Sequence, residues 1–166
     1  MQAHQFTSKD ETPLGLTQEG MTDLDALKIA ISLDSDRHSH ARVLKQVAKS
    51  GHVSEADLAR SENEFLQFAV LLGISQKSLA PSNLADWYWH SFILDTRLYG
   101  TWCQRHFGRY LHHTPTPWDE QEDAGVVDDT RRLYRRYFGI LSSSAYCKGN
   151  SHDCSGGGQD HCNGSF

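Results

Sequence analysis

The side chains between residues 86 and 113 include the carboxylate of Asp86, the thiol of Cys103 and the imidazoles of His90, His106, His112 and His113, with Tyr99 among them. These groups suit metal ligation or acid–base chemistry, and helical spacing sorts them. Asp86 stands four residues before His90, one turn away, where its carboxylate can accept from the imidazole. Cys103 and His106 are three apart and could supply two metal ligands from one turn, with His112 or His113 arriving from the segment that follows. His90 and His106 on one continuous helix would be about 24 Å apart along the axis, too far to share an ion. An enzyme using this region would need Asp86, His90 and Tyr99, or Cys103, His106 and His112, to converge and stay open to solvent.

Packing offers a competing account of the same stretch. Trp87, Trp89, Phe92, Ile93, Leu94, Leu98, Tyr99 and Trp102 leave its helix almost no polar side, the mark of an element surrounded by others. His90 is then expected to be a satisfied buried histidine rather than a ligand. A Cys103 nucleophile with His106 as its base is disfavoured, because the C-terminal end of a helix opposes a thiolate. Arg105 and Arg109 only partly offset that.

A second set of donors lies near the C-terminus. "SHDCSGGGQDHCNGS" repeats a histidine, aspartate and cysteine grouping, and Cys147, His152, Cys154, His161 and Cys162 together could wrap zinc or copper. Glycines supply the backbone freedom that wrapping requires. The spacings are not those of a zinc ribbon, so incidental cysteines in a low-complexity tail are an alternative. Another is a tail whose cysteines are modified or cleaved by a partner enzyme.

The elements that must position these groups read as helices. Asp23 or Thr22 can cap a helix bearing Leu24, Leu27 and Ile31; Val43, Leu44 and Val47 mark a second that stops at Gly51. Ser54 and Asp57 form a variant capping box ahead of a third helix, through Leu58, Phe65, Phe68, Ala69 and Leu72 to Gly73. Pro81 forbids continuation, and Ser82 or Asn83 can cap a long helix that runs to Phe107 and ends at Gly108. Pro115 and Pro117 keep the next connector extended, and a last helix covers Asp119 to Phe138, acidic first and basic last as the helix dipole prefers. Its arginines read as a solvated face rather than a nucleic-acid patch. No strand pattern stands out. The expected fold is all-α, about five helices around the aromatic-rich one, with a flexible lead over 1–20, a helical domain over 21–141 and a flexible tail over 142–166.

The runs "ENEFLQFAVLLG", "LAPSNLADWYWHSFILDTRLYGTWCQRHFGRYLHHTP" and "LYRRYFG", with the cysteine-bearing tail, resemble the glycine-rich domain-containing protein-like family over about residues 62–162. Trp89, His90, Ile93, Leu94, Thr96, Tyr99, Cys103, Gly108, His112 and His113 carry the resemblance; Tyr88 departs from the aliphatic residue usual there. The resemblance implies a helical domain and prescribes no reaction.

Composition narrows the setting. The 166 residues are 38% hydrophobic and 22% charged, as in a globular chain able to bury a core. A net charge of −5 gives no pull toward nucleic acid or anionic lipid. No apolar run reaches membrane-span length, and the polar start lacks a secretory pattern, so the expected location is the cytoplasm. These readings converge on a non-catalytic binding or interaction module with a metal-coordinating tail, served by a protein partner or modifying enzyme.

Overall fold

A computed structural model describes residues 12–113 and 120–139. Among the described residues the architecture is all-α, with seven α-helices, two 3₁₀ turns and no strand. The helices are α1 (Gln18–Thr22), α2 (Leu24–Ser35), α3 (Ala41–Ser50), α4 (Leu58–Ile74), α5 (Asn83–Leu94), α6 (Thr96–Phe107) and α7 (Glu120–Phe138). None is long and apolar enough to cross a membrane.

Several boundaries follow from side-chain capping. The Asp23 carboxylate accepts from the N–H groups of Asp25 and Ala26, both at 3.1 Å, and starts α2. Ser82 Oγ accepts from the Ala85 N–H at 3.1 Å and starts α5 directly after Pro81. Gly51 and Gly108 end α3 and α6 with φ of 74° and 64°, left-handed values that side chains other than glycine resist.

Two expectations need correction. The long helix is broken: Asp95 sits at φ −88° and ψ 71°, outside the helical region, and its carboxylate accepts from the Leu98 N–H at 3.3 Å. A short acidic side chain that can cap the next segment outcompetes continuation here. The 24 Å separation that assumed one rod therefore does not apply. The polar lead is also partly structured. Pro13–Gly15 forms a 3₁₀ turn, Leu14 and Leu16 are buried, and α1 follows. With the split helix, this raises the count above five.

α4 is the hub, packing on α2, α3, α5 and α7. Its Phe65 lies 5.0 Å from Tyr88, 6.2 Å from Trp89, 5.9 Å from Phe92 and 5.5 Å from Trp102, ring centre to ring centre. α4 also buries two carboxylates, each with partners. Glu62 accepts from the His38 backbone N–H at 3.2 Å and lies 2.8 Å from His38 Nδ1. Glu64 accepts from Ser82 Oγ at 2.5 Å and Arg60 Nε at 2.8 Å. Unpaired, either would carry a large desolvation cost.

The first and last described helices are clasped together. The Thr17 N–H donates to the Tyr137 carbonyl at 2.8 Å, Thr17 Oγ1 to the Arg136 carbonyl at 2.6 Å, and the Tyr137 hydroxyl to Asp23 at 2.7 Å. That last bond and burial push the Tyr137 hydroxyl up to about 12, burial contributing most. Gly20 allows the approach, since a Cβ there would stand 2.9 Å from the Tyr137 carbonyl oxygen.

Candidate metal centre

Asp86 and His90 lie one turn apart on α5, and His113 joins them from the segment beyond α6. One ligand atom from each can be chosen so that all three lie within 4.8 Å of one another. His113 Nε2 is 2.8 Å from Asp86 Oδ1, and His90 Nδ1 is 3.3 Å from Asp86 Oδ2. The His90 and His113 rings are 4.5 Å apart. His90 Nδ1 also stands 2.8 Å from the Asp86 carbonyl, which can only accept, so in the neutral ring Nδ1 carries the proton and Nε2 the lone pair. A ligating imidazole held through its other nitrogen is the usual arrangement at metal sites.

The cluster has a dry side and a wet side. The His113 side chain is 13% exposed and its ring meets Trp89 edge-on at 4.4 Å, whereas the His90 side chain is 49% exposed and Asp86 33%. The expectation of a buried His90 is thus corrected. On α5 the positions facing the core are Ala85, Tyr88, Trp89 and Phe92, and His90 falls on the opposite side. Beside it lies Trp87, whose ring is stacked on His52 at 3.6 Å.

The other grouping, Cys103 with His106 and His112, is not assembled. Cys103 is fully buried on α6, next to Tyr99 and the Leu111 backbone, and burial pushes its thiol up, away from the thiolate a nucleophile needs. His106, its side chain 2% exposed, turns the other way: Nδ1 is 2.7 Å from Ser32 Oγ and Nε2 is 3.2 Å from Asp36 Oδ2. His112 is exposed, with its ring 4.9 Å from Tyr110. Tyr99 is fully buried, and its hydroxyl bonds inward to Trp89 and Leu111 rather than toward His90. Cys147, His152, Cys154, His161 and Cys162 lie outside the described residues.

Asp36 draws together His106 and a histidine that helical spacing did not single out, His40. His40 Nε2 lies 3.6 Å and His106 Nε2 3.2 Å from the same oxygen, Oδ2, with Arg105 3.8 Å from Oδ1. The "DSDRHSH" run at 34–40 was the available signal. Burial lowers both imidazoles from their ordinary value of 6.5, against the opposing pull of Asp36 on each and of Glu62 on His40. Below that value the unfolded chain binds more protons than the native one. The stability contributed by neutral His40 and His106 is therefore complete above about pH 6.5 and lost as pH falls toward and through the lower native values. Urea midpoints should decline over that range, and the decline should shrink in His106→Asn.

A family model described as UCP032817-like matches residues 32–137, more than half of the chain. That match corrects the likeness to the glycine-rich domain-containing protein-like family, of which it gives no indication. The tryptophan, tyrosine, cysteine and histidine positions that suggested it are joined by packing and hydrogen bonds around one aromatic cluster. Such a pattern reports local architecture and does not name a lineage. No curated protein and no solved structure matches the chain.

Proposed function

The chain belongs to the UCP032817-like family, and on that premise we propose that it is a non-catalytic metal-binding module whose helical body presents Asp86, His90 and His113 to a divalent transition metal. The observation that carries this reading is the approach of three ligand atoms to within 4.8 Å of one another, from two separate parts of the chain. Two imidazoles and one carboxylate are a donor set suited to zinc or copper. Three protein ligands leave a position for water or a further donor, and the exposed flank of His90 gives an ion access. Burial of Cys103 and engagement of both His106 nitrogens favour binding over catalysis in this region. In the same reading Cys147, His152, Cys154, His161 and Cys162 form a softer donor set suited to zinc or copper.

Metal analysis and zinc titration of the full chain, purified without a histidine tag, test both parts against a truncation after Leu141 and against Asp86→Asn. The truncated chain should keep a zinc-binding event that Asp86→Asn removes, and the full chain should bind additional metal. A truncated chain that binds no zinc would sink the body site, and equal binding by both lengths would sink the tail.

A further inference from the structure

His113 reaches Asp86 across 27 residues of sequence, and the segment that carries it must be held. The fastening point is Leu111, two residues earlier. The buried Tyr99 hydroxyl donates to the Leu111 carbonyl at 2.7 Å and accepts from Trp89 Nε1–H at 2.7 Å. These roles are forced, because an indole N–H only donates and a carbonyl only accepts. Trp89 also supplies the ring against which His113 rests. The relay thus begins on α5, the helix bearing Asp86 and His90, passes through α6, and ends beside the third ligand.

We propose that Tyr99 is a positioning residue for the metal site, its hydroxyl fixing Leu111 and thereby the place of His113. The proposal rests on the metal-binding reading. A ligand on an untethered segment would have to be ordered at the moment of binding, and that cost would come out of the affinity. The Trp89–Tyr99–Leu111 relay orders the segment beforehand. Tyr99 touches no metal ligand through its hydroxyl, so its influence is indirect.

The test is a set of Co(II) and Zn(II) titrations of the full chain. Tyr99→Phe keeps the ring and deletes the relay, and should weaken binding about 10- to 100-fold, the usual loss when a group supporting a ligand is removed. In a His113→Ala background the same substitution should change affinity by less than about twofold, since the ligand it positions is gone. The visible Co(II) spectrum of Tyr99→Phe should move toward that of His113→Ala. Unchanged affinity in Tyr99→Phe, or an equal loss in both backgrounds, would overturn the proposal. Failure of the underlying reading looks different: the wild-type chain binds no Co(II), or His113→Ala binds like wild type.

Tyr99→Phe strands two buried polar groups and can fail to fold. Hydrogen exchange on the wild-type chain then decides the matter. A segment ordered beforehand is already held against exchange, so amides over residues 109–113 must be protected in the metal-free chain and zinc must add little. Amides there that exchange freely until zinc is added would overturn the proposal as well.

Discussion

Zinc affinity should fall by at least about 100-fold in His113→Ala, measured by competition with a chromophoric chelator. Removing an outer partner of a ligand already costs about 10- to 100-fold, and removal of a ligand itself should exceed that range. His113 is the informative choice among the three. Asp86 and His90 are neighbours on one helical turn and would still meet if α5 folded alone, whereas His113 comes from the segment beyond the next helix. Its alanine variant therefore tests whether the tertiary fold builds the site. The fold itself should survive, because the imidazole is at the edge of the aromatic cluster rather than inside it. Far-ultraviolet dichroism equal to wild type would establish that; zinc affinity equal to wild type would remove His113 from the ligand set.

The largest loss of stability is expected from Phe92→Ala. Phe92 is 1% exposed and its ring meets Tyr99 and Trp102 at 5.2 Å, Phe65 at 5.9 Å and Tyr88 at 6.1 Å. On its other flank the His40 ring is 5.0 Å away. It therefore joins α5 to α4, to α6 and to the residue that precedes α3. Truncating a fully buried phenylalanine costs about 3–5 kcal/mol in lost transfer free energy and residual cavity. For a domain of this size that is a drop in melting temperature of roughly 10–20 °C. The aromatic walls are stiff and cannot close over the gap, which favours the upper part of the range. An unfolding free energy from urea titration within about 1 kcal/mol of wild type would mean that Phe92 is not the keystone its contacts imply.

Local chemistry made most helix boundaries legible. Ser82 after Pro81, Asp23 before Leu24, and glycines at 51 and 108 each act within one turn, and each sits where its side chain or its absence predicts. Asp95 was harder to read. It interrupts a run of large apolar residues whose burial argues for one continuous helix, yet its capping bond to Leu98 won. The pair Asp95–Thr96 carried a weak signal, because both residues favour helix starts over helix interiors. Burial of Leu14 and Leu16 could not be anticipated from a short polar lead, since it depends on α2 and α4 being beneath them. The site divides in the same way. Asp86 with His90 is a local pair, visible from a four-residue spacing. Their union with His113 depends on the left-handed turn at Gly108 and the Tyr99 bond to Leu111, neither of which any period in the sequence encodes.

The clasp between Thr17 and the end of α7 has a consequence for how the chain can be cut and rejoined. With the Thr17 N–H on the Tyr137 carbonyl, the two ends of the helical body are neighbours in space, separated by 120 positions in sequence and by a single hydrogen bond in distance. The body is topologically close to a ring, and the place where the polypeptide starts is nearly arbitrary with respect to its packing. A permuted chain opened at the exposed Gly51–His52 step and joined by a short linker across the clasp would keep every α-helix, and a linker reaching back to residue 12 would keep the buried Leu14 and Leu16 as well. The same closeness reaches Gly139, where an added Cβ would stand 3.3 Å from Thr17 Cγ2, so the seam between the two ends leaves little room for a side chain.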